Sequence, residues 1–390
     1  MRLADEVLVD AGVPDDTMAV ALRVARAASA DLQRIAGPSV HVAVEPSLVA
    51  ATILLPAVLA ARDGAEWPRP APPRPAPGHG FVAADLGAPG NEEEYLRMLS
   101  TLPGDASALE VEAVAQEWRL PVVAYRRRRD PARTPPTGHP PAATTAAPHR
   151  GEPLLPLLGI RVVDLTAMWA GPLATWLLAA LGADVTKVEG SVRPDGMRGQ
   201  PAMFAALDRG KRHVDLDLRT ADGLASLENL VAGADVVVDS FSPRVMPNLG
   251  LCVTRLRKLN PQVLAVSLPA FAPRTREADW VAYGTGVHAF SGLGDTGAGR
   301  FASPQVTYPD PLAGLTAFAS IVRHLASGAR ARITASISDA LRPLLRSGRA
   351  PSTSLLRPVH PLAAALAEDL AERRLLDEHG VDPPFVIAPR

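Results

Sequence analysis

At 390 residues the chain is longer than one ordinary hydrophobic core requires, which predicts two domains. A content of 47% hydrophobic and 21% charged residues excludes wholesale disorder, and a net charge of -1 argues against nucleic acid or an anionic membrane as partner. The single cysteine, Cys252, and an N-terminus without an apolar leader predict a cytoplasmic protein without a multi-cysteine metal site.

Proline accounts for 39 of the 390 residues and is concentrated in two places. Residues 68–77 and 131–148 are rich in proline, which predicts extended spacer or linker in both. The second stretch divides the chain near residue 150. The predicted segments are a small α+β domain at 1–130, a Pro/Ala/Thr-rich linker at 131–150, an α/β domain at 151–345 and a helical tail at 346–390.

The hydrophobic pattern before the linker predicts both helices and strands. Apolar residues recur at helical spacing in several segments, and short apolar runs indicate strands between them. The predicted helices lie at 16–35, 47–62, 92–102 and 106–118, and the predicted strands lie at 80–86 and 121–125. These elements are typical of a small α+β unit.

From residue 159 onward, strand and helix patterns alternate regularly. Strands are predicted at 160–165, 183–189, 235–239 and 263–268 and in the HVDLDL sequence, with helices at 171–181, 220–232, 249–259, 312–325 and 361–379. Apolar strands joined by helices are typical of a parallel sheet that helices cover on both faces. The predicted fold class is therefore α/β, of the nucleotide-binding type.

Open parallel sheets bind ligands beyond the carboxyl ends of their strands, and three segments meet this condition. They are residues 166–172, 189–198 and 240–244. Glu189 is placed to hold a ribose hydroxyl, although a helix-capping or solvated acid has the same pattern. Lys211 and Arg212 in DRGKR are suited to binding a phosphate, and a surface turn is the alternative.

Searches for common catalytic motifs give negative results for GxxxxGK[ST], HExxH and GxSxG. Gly292, Gly294 and Gly297 do form a GxGxxG pattern. This pattern neither follows a predicted strand nor begins a helix, as a dinucleotide-binding turn does. The glycine-rich sequence GLGDTGAG instead predicts a mobile loop.

Three runs carry a resemblance to a known family. LGIRVVDLTAMWAGPLATWLLAALGADVTKVEG, DRGKRHVDLDLRTADGLASLENLVAGADVVVDSFSP and LRKLNPQVLAVSL resemble the N-terminal half of class III coenzyme A (CoA)-transferases, which include formyl-CoA and carnitine-CoA transferases. The resemblance implies a Rossmann-like domain that holds CoA without a metal, and an interlocked homodimer. The expected CoA contacts are Trp169, Ala170, Glu189, Lys211, Arg212, Phe241 and Arg244.

The resemblance also implies a catalytic aspartate, for which Asp310 in TYPDPLAGLTAF is the candidate, followed by Gly314. Such an aspartate attacks a donor acyl-CoA, forming a mixed anhydride and then an aspartyl-CoA thioester, from which CoA passes to an acceptor acid. The helix N-terminus favours the ionised carboxylate. The alternative is a helix-capping aspartate, which Pro311 also predicts.

Two other parts of the chain resemble elements of the same family. Residues 291–299, with Gly292, Gly294 and Gly297, are similar to a glycine-rich lid that shields the reacting centre from water. GHGFVAADLG and AVAQEWRLPVVAYR resemble the family's small domain, which here precedes its usual partner. The resemblance therefore implies a permuted or truncated member of the family.

Departures from the family pattern leave two alternatives open. Trp169 replaces a polar residue and Arg244 replaces a glycine, which fits a non-catalytic CoA- or partner-binding relative. An α-methylacyl-CoA racemase would need a general base. Tyr283 lies near the position of the racemase histidine, and His288 follows one turn later, where a histidine satisfied within a helix or loop is the more common arrangement.

Overall fold

The structure is a computed structural model that describes residues 16–67, 69–88, 90–128, 155–190, 192, 194–346 and 360–389. Its first elements are α1 (Thr17–Ala36), β1 (Val40–Val44), α2 (Pro46–Ile53) and α3 (Leu55–Arg62). The single helix predicted at 47–62 is divided at Leu54 because Pro56, which has no N–H to donate, begins the next helix.

A three-stranded antiparallel sheet follows, with two helices packed beside it. Its elements are β2 (Arg74–Pro75), β3 (Phe81–Ala84), α4 (Asn91–Leu99), α5 (Ala108–Glu117) and β4 (Val122–Ala124), in strand order β2–β3–β4. A capping box of Ser107 and Glu110 begins α5. Val82, Met98 and Val111 are fully buried in the core of this part, which we call the small unit (residues 74–124).

The centre of the molecule is a six-stranded parallel sheet. Its strands are β5 (Arg161–Leu165), β6 (Asp184–Glu189), β7 (Arg212–Asp215), β8 (Val236–Asp239), β9 (Leu264–Ser267) and β12 (Arg332–Thr334). They lie side by side in the order β12–β9–β8–β5–β6–β7. Counted in chain order from the β7 edge, this is the 3-2-1-4-5-6 arrangement of Rossmann folds, so the predicted α/β, Rossmann-like class is confirmed.

The strand order reverses between β5 and β8, which is where open α/β sheets bind their ligands. The loops after these two strands are in contact, because the Ala167 N–H donates to Oγ of Ser240 at 3.0 Å. The edge formed by the carboxyl ends of the strands, which we call the rim, is therefore the expected ligand side of the sheet.

The α-helices between β5 and β9 are α6 (Ala170–Ala180), α7 (Pro201–Asp208), α8 (Ala221–Ala232), α9 (Val245–Asn248) and α10 (Val253–Leu259). Oγ1 of Thr220 accepts the Gly223 N–H and so caps α8 at the predicted start. The single helix predicted at 249–259 is wrong at its beginning. Gly250 adopts a φ of 74° after α9, and α10 begins only after Cys252.

A long, mostly buried helix, Pro309–Ser327, lies between β9 and β12 in the chain. The elements of this region are α11 (Gly284–Ser291), β10 (Asp295–Gly297), β11 (Arg300–Phe301), α12 (Pro309–Ser327), α13 (Ile337–Ala340) and α14 (Arg342–Arg346). Helix α12 packs against α1 and α6. A Cβ on Gly314 would lie 2.6 Å from the Ala170 carbonyl oxygen, so the start of α12 lies close against the start of α6.

The chain ends in strands as well as a helix. Its last elements are α15 (His360–Glu372), β13 (Leu376–Asp377), β14 (Gly380–Val381) and β15 (Phe385–Pro389). The helix predicted at 361–379 stops earlier because Arg374 has a φ of 57°, which is incompatible with a continued α-helix. Strand β15 pairs antiparallel with β1, from Val40 opposite Pro389 to Val44 opposite Phe385.

Residues 1–130 were predicted to form one small domain, but the described residues of this range belong to two different hydrophobic cores. The helices of residues 17–62 and the chain end share one hydrophobic core with the parallel sheet, whereas the small unit has a separate core. The predicted linker at 131–150 lies outside the described residues. Within the described residues, no helix is both long enough and apolar enough to cross a membrane.

Candidate active site

Asp310 lies in the first turn of α12 and is only 7% exposed. Its carboxylate accepts hydrogen bonds from the backbone N–H groups of Asp310 itself and of Gly284. Residue 284 is closely packed here, because an added Cβ would lie 1.9 Å from Oδ2 of Asp310. Tyr308, not Asp310, occupies the N-cap position of the helix, so the capping role considered for Asp310 is not observed.

The environment of Asp310 favours its neutral form. Burial raises the pKa of Asp310 to about 7, and the negative charge of Asp85 acts in the same direction. The two backbone N–H groups oppose this rise because they stabilise the carboxylate. Near neutral pH, Asp310 therefore exchanges between the carboxylic acid and the carboxylate.

A second carboxylate, Asp85, reaches the same helix start from the small unit. Asp85 follows β3 and accepts hydrogen bonds from the Thr285 hydroxyl and the Gly286 N–H. Burial raises the pKa of Asp85 to about 6, although these hydrogen bonds lower it. The first turn of α11 thus binds Asp310 at residue 284 and Asp85 at residues 285 and 286, and we call Asp85 and Asp310 the carboxylate pair.

His288 is completely buried in α11, and both of its ring nitrogens are engaged. Nδ1 lies 2.9 Å from the Tyr308 hydroxyl, and Nε2 lies 3.2 Å from the carbonyl oxygen of Ala302. Burial lowers the pKa of His288 to about 4, so the ring is neutral: Nε2–H donates to Ala302 and Nδ1 accepts from Tyr308. This is a satisfied histidine, and neither nitrogen is available as a general base in this arrangement.

The glycine-rich segment predicted as a lid forms the β10–β11 hairpin, and its glycines differ in their surroundings. A Cβ on Gly292 would lie 2.8 Å from Cα of Arg128, and one on Gly294 would lie 2.7 Å from the Tyr125 ring. A Cβ on Gly297 would meet nothing within 4 Å. The base of the hairpin is packed against residues that follow the small unit, and only its tip lies in open space.

Two buried ion pairs lie beneath the loop that follows β5. Nζ of Lys211 is 3.0 Å from Oδ2 of Asp164, and both side chains are 0% exposed. Nζ of Lys187 is 2.9 Å from Oδ2 of Asp195 and also bonds the Thr166 carbonyl oxygen. Burial alone would raise the pKa of Asp164, but the charges of Lys211 and Lys187 hold it at about 2. These pairs support the loop from below.

Residues 157–342 match the sequence model of CoA-transferase family III. Over this part, which is just under half of the chain and which we call the family III segment, the chain is similar to that family. This segment contains the parallel sheet, the rim, α11 and the start of α12 with Asp310. The small unit and the helices before it lie outside the matched residues.

Curated relatives are similar over part of the chain. A succinate–glutarate CoA-transferase of Agrobacterium fabrum is 38% identical over 152 residues, which are 35% of this chain and 38% of the relative. A formyl-CoA:oxalate CoA-transferase of Afipia carboxidovorans is 32% identical over 205 residues, 49% of this chain and 48% of the relative. This chain therefore spans less than half of the length of each of these two relatives.

The matches to solved structures also cover about half of the chain. A hypothetical protein of Mycobacterium tuberculosis matches with 28% identity and a TM-score of 0.47, over 50% of this chain and 58% of that one. A CAIB/BAIF family protein of Brucella suis matches with 29% identity and a TM-score of 0.40, over 57% of each chain.

Five of the predicted CoA contacts of the family III segment follow the carboxyl ends of central strands. Trp169 and Ala170, which are each 7% exposed, follow β5, Glu189 ends β6, and Phe241 and Arg244 follow β8. Nε1 of Trp169 is buried without a hydrogen-bond partner among the described residues. The rim thus combines an aromatic side chain carrying a free donor with nearby charged groups.

Charged partners already bind two of these rim residues. Glu189 forms a two-point ion pair with Arg198, at 2.6 and 3.1 Å, and also accepts the Asp195 N–H. Nη2 of Arg244 lies 3.3 Å from Oδ2 of Asp279, and both side chains are largely exposed. The Glu189 carboxylate is therefore occupied, whereas Arg244 is held by one weak surface contact.

The two basic residues of DRGKR for which phosphate contacts were expected, Lys211 and Arg212, have carboxylate partners in the structure. Lys211 is enclosed in its ion pair with Asp164, so its ammonium group is closed to solvent. Arg212 begins β7 and forms a two-point ion pair with Asp184 at the start of β6. Both of these strand starts lie at the edge opposite the rim, because the strands are parallel.

An open cavity of about 290 Å³ lies at the carboxyl ends of β8, β9 and β12. Its lining includes Asp239, Cys252, Phe271, Arg274 and Arg332, but not Asp310. Burial raises the pKa of Asp239 to about 6. The carboxylate pair is therefore not part of the lining of this cavity.

Sequence reasoning located Asp310 but missed Asp85. Asp85 ends the run FVAAD, and a strand followed by an acidic residue has many surface examples. Its position beside α11 is fixed by a hydrogen bond from Thr285, 200 residues later in the chain. No local pattern in the sequence reports that contact.

Proposed function

We propose that the chain transfers CoA from an acyl-CoA thioester to a carboxylic acid, with Asp310 carrying the covalent intermediates. One observation carries the proposal: Asp310 is a buried carboxylate, positioned by the Gly284 N–H, within a segment that matches the model of CoA-transferase family III. The names of two similar relatives, a succinate–glutarate CoA-transferase and a formyl-CoA:oxalate CoA-transferase, support carboxylic acids as the substrate class.

The proposed reaction exchanges bonds without any change of redox state. The Asp310 carboxylate attacks the thioester carbonyl carbon, the C–S bond breaks, and CoA thiolate leaves as a mixed anhydride forms. The thiolate then attacks the aspartyl carbonyl carbon, which releases the donor acid and gives an aspartyl-CoA thioester. The acceptor carboxylate attacks the aspartyl-CoA carbonyl carbon, which releases CoA thiolate and forms a second mixed anhydride. The thiolate then attacks the acyl carbon of the acceptor, which forms the new acyl-CoA and regenerates the Asp310 carboxylate.

The surroundings of Asp310 suit each requirement of this chemistry. The Gly284 N–H fixes the orientation of the carboxylate, which lowers the entropic cost of reaching a reactive geometry. Burial excludes water, which would otherwise hydrolyse the anhydride and the thioester. The Asp310 carboxylate is also less well solvated in this site than in water. Its attack on the thioester carbonyl converts the carboxylate into an uncharged anhydride and so removes the poorly solvated charge.

The rim supplies the proposed CoA contacts. Trp169 and Phe241 offer aromatic surface beside the loops after β5 and β8, and Arg244 offers a charge that can exchange Asp279 for a phosphate. The unpartnered Nε1–H of Trp169 is a hydrogen-bond donor available to the acyl group. We propose the tip of the β10–β11 hairpin, around Gly297, as the part of the lid that moves.

Hydroxylamine trapping tests the proposal. The protein is incubated with a panel of acyl-CoA donors and acceptor acids, transfer is measured by chromatography, and peptides are analysed for an aspartyl hydroxamate. We expect transfer with at least one pair and a hydroxamate at Asp310. Asp310→Asn should abolish both, and Asp217→Asn, which removes a surface carboxylate paired with Arg219, should preserve both.

Binding without transfer would overturn the enzymatic proposal. Titration calorimetry with CoA then separates a CoA-binding relative from a protein that does not recognise CoA. Because the resemblance implies an interlocked homodimer, we propose two copies in the active protein. Light scattering after size-exclusion chromatography tests this, and a monomer with full transfer activity would contradict it.

A further inference from the structure

The small unit contributes a carboxylate directly to the turn that holds Asp310. Asp85 accepts the hydroxyl hydrogen of Thr285 and the N–H of Gly286. Asp310 accepts the N–H of Gly284 from the other side of the same turn. The small unit and the family III segment therefore meet at the nucleophile itself.

The first turn of a helix provides the physical basis for this arrangement. The first backbone N–H groups of α11 have no acceptor within the helix, and they point away from its N-terminus. The carboxylate pair satisfies those of Gly284 and Gly286. Removing either carboxylate would leave a buried donor unpaired, which is costly.

When both are ionised, Asp85 and Asp310 carry like charges that no ion pair with a described basic side chain neutralises. Among the described residues, neither Asp85 nor Asp310 takes part in an ion pair with a basic side chain. The titratable groups around them include Tyr125 beside the small unit, His288 in α11 and Tyr308 before α12, all uncharged at neutral pH. The nearby cation is Arg128, whose charge acts on Tyr308.

We propose that Asp85 is a positioning residue for Asp310, which holds the α11 turn in place and, through its own negative charge, sets the pH at which Asp310 becomes nucleophilic. This inference rests on the proposed transfer function. It assigns the small unit, which lies outside the family III match, a direct part in the reaction.

Acylation of Asp310 changes the balance within the pair. The anhydride and the thioester at Asp310 carry no charge on the former carboxylate, so the repulsion felt by Asp85 disappears. Asp85 then ionises more readily, and its carboxylate alone continues to hold Thr285 and Gly286. The α11 turn is thus stabilised throughout the cycle, while Asp310 alternates between charged and neutral forms.

Asp85→Asn is the decisive variant because it removes the charge and keeps a hydrogen-bond acceptor for Thr285 and Gly286. Transfer and hydroxylamine-trapped thioester are measured from pH 5 to 9. The acid limb of the pH profile should move to lower pH, since Asp310 without its charged neighbour ionises earlier. Glu94→Gln, which removes an exposed carboxylate on α4, should leave the limb in place.

A second readout separates this inference from the proposed function. The side-chain carboxyl carbons of aspartate are labelled with ¹³C, and the Asp310 signal is assigned by its loss in Asp310→Asn. Its titration midpoint should be lower in Asp85→Asn than in the native protein, even if no transfer substrate has been found. An unchanged titration midpoint would overturn the inference. Because no substrate is present in this measurement, a wrong choice of substrate cannot cause that result.

Thermal unfolding establishes that each variant is folded. If Asp85→Asn does not fold, Asp85→Ser provides the same comparison with a smaller acceptor. Asp85→Glu, which restores the charge, should return the acid limb towards higher pH. A profile for Asp85→Glu that coincides with that of Asp85→Asn would show that charge is not what Asp85 contributes, and would overturn the inference.

Discussion

Gly284 donates its backbone N–H to the Asp310 carboxylate at a position where no side chain fits. A Cβ at residue 284 would lie 1.9 Å from Oδ2 of Asp310 and 2.7 Å from Cγ2 of Thr307. The absence of a side chain thus allows the backbone of α11 to approach the Asp310 carboxylate, the proposed nucleophile, directly. The geometry of the candidate site depends on this contact.

Gly284→Ala should therefore displace Asp310. Overpacking of this kind costs about 1–3 kcal/mol in the free energy of unfolding. A displaced nucleophile lowers the rate of transfer on the order of 100-fold. Denaturant unfolding and steady-state transfer assays measure the two effects. Gly104→Ala is the matched control, because a Cβ there would meet nothing within 4 Å, and a Gly284→Ala protein as active as this control would contradict the assignment.

The stability of the protein should depend on pH through Asp310. Its pKa is about 7 in the folded protein and near 3.8 when unfolded, so the folded state binds more protons between these values. Stability from this group is therefore present at low pH and is lost as pH rises through 7. Asp310→Asn, which cannot ionise, should gain on the order of 2 kcal/mol over the native protein at pH 8.

Thermal unfolding at pH 5 and pH 8 checks this pH dependence. Asp217→Asn is the control, because Arg219 lowers the pKa of Asp217 to about 2, and the carboxylate is ionised at both pH values. The difference between Asp310→Asn and the native protein should grow from pH 5 to pH 8. A difference that shrinks would mean that Asp310 is not a buried acid with a raised pKa.

Lys211 should matter for folding and not for phosphate binding. Lys211→Met leaves the fully buried Asp164 carboxylate without its partner, which typically costs 3–5 kcal/mol, about the value expected here. Arg212→Met removes an exposed pair with Asp184 and should cost less than about 1 kcal/mol. Denaturant unfolding compares the neighbouring variants. Equal stability, together with weakened CoA binding by Lys211→Met, would restore the phosphate role.

Trp169 should matter for catalysis and not for stability. Trp169→Phe removes an indole N–H that is buried without a partner, so the free energy of unfolding should stay the same or rise. If this N–H binds the acyl group, kcat falls by about tenfold with its loss. Trp176→Phe removes a similarly unpartnered indole N–H within α6 and should leave transfer unchanged. Equal activity of the two variants would exclude Trp169 as a donor.

The central sheet was predictable because the local sequence pattern indicates its strands. Val236, Val237 and Val238 form a continuous apolar run, as expected of a strand buried on both faces. The helix predicted at 312–325 corresponds to α12, although α12 begins three residues earlier, at Pro309. Asp310 was chosen by its Asp-x-x-x-Gly sequence and by the family resemblance. Boundaries failed where single residues changed the backbone, as at Gly250 and Pro56.

Long-range contacts account for what the sequence could not show. Lys211 and its surface-like neighbours suggested a phosphate site, but its ammonium group is buried against Asp164, 47 residues earlier in the chain. Asp85 lies in the small unit and reaches α11 across 200 residues. Pairings of this kind depend on the tertiary fold, and no spacing rule within one segment contains them.

Trapping the covalent intermediate on Asp310 tests the central claim most directly. The protein is mixed with an acyl-CoA donor and hydroxylamine, digested, and analysed by mass spectrometry at residue 310. The account predicts a hydroxamate at Asp310 that requires the donor and is absent from Asp310→Asn. Transfer of CoA that proceeds at full rate in Asp310→Asn, with no hydroxamate at this residue in the native protein, would contradict it.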